Sequence, residues 1–205
     1  MAAIGALVAC ALGFVGGTAL ADSPPAPVIT GTSPNSPANA NRIRVIGTAQ
    51  AGSTVNIYPD GNCSGPPYPS GSAAAFATPG IEVQVPDDST TTLSATVTDA
   101  SDNVSPCSGS IAYIEDSRPP QTLIKRLHLN RNKGTVTPVF SSDEPYTTFE
   151  CHWTRWGRCL PGQRSWHVGR QQTSRRRYFQ VRAVDSAGNV DPSPAVKTVK
   201  YNPVV

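Results

Sequence analysis

The segment Asp99-Ala100-Ser101-Asp102-Asn103-Val104-Ser105-Pro106 returns as Asp185-Ser186-Ala187-Gly188-Asn189-Val190-Asp191-Pro192, an offset of 86 positions. Each copy follows an alternating apolar/polar segment and precedes a final one. A repeat of this period matches the size of one small sandwich domain, so duplication of a single module is the economical reading. The alternation is consistent with it. Ile81, Val83 and Val85 share one face against Glu82 and Gln84, and Leu93, Ala95 and Val97 alternate with Ser94, Thr96 and Thr98. Val55 and Ile57 alternate with Thr54, Asn56 and Tyr58. In the second half Phe149, Cys151 and Trp153 form one face, as do Phe179, Val181 and Ala183. Period two with one polar face marks antiparallel strands packed on one side. The segments stand between Gly, Pro, Asn and Asp clusters, as in a sandwich. No helical apolar repeat competes with this reading. The expected fold class is all-β, two tandem antiparallel sandwiches. The stretch from Gly162 to Arg177 is polar, basic and aperiodic, and is expected to be a long loop.

Ser117-Arg118-Pro119-Pro120 interrupts the chain between the two copies. Prolines cannot sit inside a sheet ladder and favour an extended, semi-rigid linker. Charge changes sign at the same place. Residues 22–117 carry two Arg against nine Asp or Glu, a net −7, whereas residues 118–205 carry fifteen Lys or Arg against five acids, a net +10. The modest overall +3 conceals two oppositely charged halves. The expected organisation is a leader at 1–21, an acidic module at 22–117, a proline linker at 118–120 and a basic module at 121–205.

The leader is read from an uncharged apolar run that ends in Ala19-Leu20-Ala21, a small-x-small pattern suited to signal peptidase, just before Asp22. It lacks the basic residue that usually opens such a signal. A membrane span of about 20 apolar residues is the rival reading, and the glycines with the Ala-x-Ala ending favour cleavage. Leu7-Val8-Ala9-Cys10 resembles a lipobox, but the apolar run before it is short for a signal. Cleavage would leave four cysteines, an even count that implies disulfides in an oxidising compartment. The expected pairs are Cys63 with Cys107, whose members flank strands, and Cys151 with Cys159, which close a short hairpin.

Candidate site residues fall in two groups. In the repeated turns, Asp99 with Asn103, and Asp185 with Asn189, can close a tight turn through side-chain acceptance of backbone N–H groups. Gly188 supplies a left-handed conformation there, and Asp102 holds the same slot in the first copy. Asp99, Asp102 and Asn103 offer too few oxygens for calcium, so no metal is expected. The second group is a cluster of arginines among aromatic rings: Arg155, Arg158, Arg164, Arg170, Arg175, Arg176, Arg177 and Arg182, with Trp153, Trp156, Trp166, Tyr178 and Phe179 between them. Guanidinium forks hold phosphates and carboxylates, and aromatic faces stack on bases or sugar rings. The plain alternative is a core tryptophan beside a solvated basic face. His128, His152 and His167 have no metal-ligand spacing, Cys151 is committed to a bridge, and neither a nucleophile elbow nor a phosphate loop is present. A non-enzymatic protein without a cofactor is expected.

The stretch Gly47 to Tyr58 resembles the second and third strands of bacterial immunoglobulin-like (Ig-like) repeats, and Thr92 to Cys107 is similar to the same group. In the second half Phe140 to Pro145, Phe149-Glu150-Cys151 and Val181 to Asn189 resemble a related module of bacterial surface and secreted proteins. The resemblance implies a secreted or cell-surface adhesion-type binding or scaffold protein, with a surface protein or an anionic polymer such as a cell-wall polymer as partner. The alternative is a polyanion-binding protein that grips wall polymer, acidic polysaccharide or nucleic acid through the Arg-rich region. Two departures stand out. The hairpin after Cys151 lacks the usual Asp-Gly turn, leaving Gly157 to take it, and Gly162 to Arg177 replaces a brief connection.

Overall fold

The computed structural model describes residues 23–152, 156–162, 166–167 and 177–199. The expected leader, its cleavage site at Ala21 and Cys10 lie outside them. In the first half the strands are β1 (Val28–Ser33), β2 (Arg42–Thr48), β3 (Thr54–Tyr58), β4 (Gly71–Ser72), β5 (Ile81–Gln84), β6 (Thr90–Thr98) and β7 (Ile111–Ile114). They form two antiparallel sheets, β1-β2-β5 and β4-β3-β6-β7. Ile43, Val45, Ile81 and Val83 from the first sheet meet Val55, Ile57, Leu93, Ala95, Val97 and Tyr113 from the second in one buried cluster. Burial of those alternate positions drives the pairing, since each fully buried aliphatic side chain contributes roughly 1.5–3 kcal/mol.

Two features of this half depart from the simple alternation. Ser94 and Thr96 were expected on a polar, open face, yet Ser94 is 0% exposed and Thr96 5%. The segment after β3 folds over Ser94, and Tyr58 of β3 meets Thr96. Ser94 Oγ donates to the Asp60 carbonyl at 2.6 Å and lies 3.2 Å from Cys63 Sγ, while the Tyr58 and Thr96 hydroxyls stand 3.4 Å apart. Cys63 is bonded to Cys107, which ties this cover to the connection between β6 and β7. The second feature is a short helix, α1 (Ala73–Ala77), capped by Ser72, whose hydroxyl accepts from the Ala75 N–H at 3.1 Å. Its Phe76 is wholly buried. Gly47 in β2 makes room for it: a Cβ there would run into the Phe76 ring and the Val28 carbonyl.

The second half contains β8 (Thr122–Asn130), β9 (Thr135–Ser142), β10 (Thr148–His152), β11 (Trp156–Cys159), β12 (Trp166–His167), β13 (Arg177–Val184) and β14 (Ala195–Val199). Its sheets are β12-β9-β8 and β11-β10-β13-β14, again antiparallel. Ile124 and Phe140 from one sheet pack on Phe149, Cys151, Cys159, Phe179, Val181 and Ala183 from the other. The Phe140 and Phe149 rings meet edge to face, centroids 4.9 Å apart, a favoured aromatic geometry. Cys151 and Cys159 are bonded across the β10–β11 hairpin. The chain is therefore all-β, each half a pair of antiparallel sheets around its own core. No helix of the described residues is long and apolar enough to cross a membrane.

Two expectations are corrected here. The stretch Gly162 to Arg177 is not loop throughout, because Trp166–His167 pairs with Thr135 and Val136 on the edge of β9. Gly157 does not make the hairpin turn. It lies within β11 opposite Cys151, and positions 153–155 lie outside the described residues.

Candidate functional site

The repeated turns are built alike. Asp99 Oδ1 accepts from the Asn103 N–H at 2.9 Å and from Ser101 N–H at 2.8 Å, and Asn103 Nδ2 donates to Asp99 Oδ2 at 3.0 Å. In the second copy Asp185 Oδ1 accepts from Asn189 N–H, and Asn189 Nδ2 donates to Asp185 Oδ2, both at 2.8 Å. Asp102 at φ 62° and Gly188 at φ 92° occupy the same left-handed slot, which glycine and aspartate tolerate better than most residues. Bonds from the Asn103 side chain and backbone hold the Asp99 carboxyl below the usual carboxylate range.

Their surroundings differ. Asn103 is half-buried, whereas Asn189 is 7% exposed because the first half covers it. Asn39 Nδ2 donates to Asn189 Oδ1 at 2.6 Å, and Asn189 Nδ2 donates to the Asp116 carbonyl at 2.8 Å. Beside this contact Asp116, Glu144 and Asp185 each present a carboxylate oxygen, all within 4.8 Å of one another. Burial, and then the charges of Asp116, Asp185 and Asp143, push the Glu144 carboxyl above its ordinary value. Three such oxygens fall short of the six to eight that calcium takes. Sequence reasoning missed this trio, since its members lie 28 and 41 positions apart and only the packing of the halves assembles it.

Of the arginine and aromatic candidates, Trp156, Arg158, Arg182 and Tyr178 are described together with their side chains. Arg155, Arg164, Arg170, Arg175, Arg176 and Trp153 lie outside the described residues, as do the side chains of Trp166 and Arg177. Phe179 belongs to the core. The register of the β11-β10-β13 sheet places Arg158, Glu150 and Arg182 in one row, and Trp156, His152 and Gln180 in the next. Because Cys151, Val181 and Ala183 face the core, these rows share the outward face. Arg182 grips Glu150 through Nε at 2.8 Å and Nη2 at 2.6 Å. Its guanidinium lies over the Trp156 ring, 4.3 Å from the centroid, a cation–π stack. The His152 and Trp156 rings are 5.2 Å apart. Trp156 is thus neither a core residue nor a bare platform. Tyr178 continues the same face along β13 at 55% exposed, with Val196 of β14 beside Gln180 at 53%. Glu150 is the member that sequence reasoning did not single out; its alternation with Phe149 and Cys151 was the available signal. At the β11 edge a cleft of about 640 Å³ opens between Thr147, Phe149, Arg158, Leu160 and Pro161.

No family model matches the sequence, and no curated protein sequence matches it. Among solved structures the chain is similar to the FN1–FN3 domains of chicken CNTN1, with 10% identity and a TM-score of 0.43, over 87% of this chain and 65% of that one. It is also similar to the fibronectin(III)-like modules of CbhA from Clostridium thermocellum, with 11% identity and a TM-score of 0.43, over 90% of this chain and 93% of that one. A third likeness is to a bacterial ice-binding adhesin, with 16% identity and a TM-score of 0.42, over 89% of this chain and 66% of that one. The chain thus spans just under two thirds of the length of the first and third of these.

Proposed function

We propose that this is an exported, non-enzymatic protein that acts outside the cytoplasm as a binding or scaffold unit of adhesion type, built from two Ig-like sandwich modules. The modules are residues 22–117 and 121–205, joined by 118–120 and released from a leader at 1–21. The observation that carries the reading is one disulfide per sandwich, Cys63–Cys107 and Cys151–Cys159. Such bridges persist in oxidising compartments and stabilise small sheet domains there. The test is the intact mass and cell fraction of the natural product. The expected result is a chain that begins at Asp22, lies outside the cytoplasm and carries four oxidised cysteines. A cytoplasmic product with free thiols overturns the reading.

A second reading, polyanion binding by residues 121–205, is favoured by the division of charge into −7 and +10. If anionic groups are the partners, each neutralised charge releases counterions and binding weakens steeply with salt.

A further inference from the structure

We propose that the outward face of the β11-β10-β13-β14 sheet binds an acidic polysaccharide, with Arg158 holding a carboxylate of the polymer and Tyr178 supporting a sugar ring. The inference rests on the polyanion reading and names the class of polymer.

Arg182, Glu150 and Trp156 satisfy one another, and that triad by itself is explained as a brace across three strands. What it leaves over is Arg158 and Tyr178. Arg158 stands in the row Arg158–Glu150–Arg182 with its side chain exposed, and the only carboxylate of that row already accepts from Nε and Nη2 of Arg182 through Oε2. Tyr178 turns a large ring to solvent on the same face, opposite Thr198 of β14. Strand spacing and rise place Arg158 and Tyr178 roughly 16 Å apart along the diagonal of the sheet, which suits an extended polymer better than a single small molecule.

Charge selects among polymers. The row Arg158, Glu150 and Arg182 sums to one positive charge, with a carboxylate at its centre. Duplex DNA presents one negative charge per roughly 1.7 Å, so a phosphate backbone laid along this face would meet Glu150 as a repulsive group and, among the described residues, Arg158 as its uncompensated cation. A polyuronate differs on both counts. Its carboxylates are spaced by sugar rings, and one of them fits the Arg158 fork in two-pronged fashion. Its hydroxyls donate to Glu150 and exchange hydrogen bonds with Gln180 and His152. The apolar faces of its rings suit exposed aromatic edges. The mixed, nearly neutral character of the described rows is therefore complementary to a hydroxyl-rich, sparsely charged chain.

The experiment is affinity electrophoresis of the intact mature chain in gels containing polygalacturonate, neutral dextran or duplex DNA, near about 0.15 M salt, where the screening length is about 8 Å. Polygalacturonate is expected to retard the protein most and dextran not at all. Arg158→Gln is expected to weaken the polygalacturonate interaction roughly tenfold, the worth of one charge-assisted contact. Tyr178→Ala is expected to weaken it too, with the melting temperature of both variants unchanged because both side chains are exposed. Retardation by DNA equal to or above that by polygalacturonate, or an unaltered Arg158→Gln variant, overturns this inference and leaves the broader polyanion reading standing. Retardation by dextran equal to that by polygalacturonate overturns both. Passage of the wild type through all three gels without retardation overturns both.

Discussion

A carboxylate that accepts two N–H groups from a residue four positions on holds its turn only while both bonds remain, and the loss is greatest where water cannot replace them. Asp185 binds both the backbone and the side chain of Asn189, and both residues are buried. Asp99 makes the same bonds to Asn103, but that turn is only half-buried. Asp185→Ala should therefore cost about 1–3 kcal/mol, the penalty for stranding buried donors, and Asp99→Ala less. Urea unfolding of the two variants checks this, and equal losses would contradict it. Asp99 also has a pH signature. Its folded carboxyl lies below the ordinary 3.8, so its contribution is present above that value and fades as pH falls through the lowered one. Asp191 behaves in the same direction: burial works to raise its carboxyl, but hydrogen bonds from Thr122 and Ser193 outweigh that and hold it low.

At the scale of elements, the two bridges do different work. Cys63–Cys107 encloses β4, α1, β5 and β6 and fastens the cover that buries Ser94. Cys151–Cys159 closes one hairpin beneath the face that carries Trp156 and Glu150. With 44 and 8 residues of separation, chain-entropy arithmetic gives roughly 4 kcal/mol for the first and about 2.6 for the second. Replacing each pair by serine and measuring unfolding should return losses in that order. The first variant should in addition admit solvent to β6, seen as faster amide exchange at Ser94 to Thr96. A larger loss from the hairpin pair would mean that native geometry, rather than loop closure, sets the effect.

At the scale of the whole molecule, the two halves meet where their acidic groups crowd. Asp116 comes from the end of the first half, Glu144 and Asp185 from the second, and Asn189 bonds across to Asn39 and Asp116. Glu144 is the group whose folded carboxyl lies above its ordinary 4.5. Its proton is held more firmly in the folded chain than in the unfolded one. The stability tied to this group is thus complete below the ordinary value and is lost as pH rises through the raised one. Glu144→Gln removes the repulsion and keeps the shape. It should leave the melting temperature unchanged in acid and raise it by a few degrees at neutral pH, since 1 kcal/mol moves a domain of this size by about 4–8 °C. A variant no more stable than wild type at neutral pH would show that the three carboxylates do not repel one another in solution.

Much of the fold was legible because a strand's period of two is a local property. Val55 and Ile57, Ile81 and Val83, and Phe179, Val181 and Ala183 all point where alternation places them, and the shared Asp-x-x-x-Asn turn signals the duplication without any structure. The positions of Cys63, Cys107, Cys151 and Cys159 in or beside strands likewise pointed to the two bridges. What escaped depends on segments distant in the chain. Alternation cannot say which strand face will be covered, and it is the Cys63 segment that covers Ser94. The edge of β9 decides that Trp166–His167 is a strand, and register across β10 decides that Gly157 lies in a strand rather than a turn. For the candidate site, the Arg-rich composition was plain from the sequence, but charge neutralisation was not. Only the side-by-side pairing of β10, β11 and β13 spends Arg182 on Glu150 and Trp156 and leaves Arg158 uncompensated among the described residues, because ion pairing is set by distance in space and not by separation along the chain.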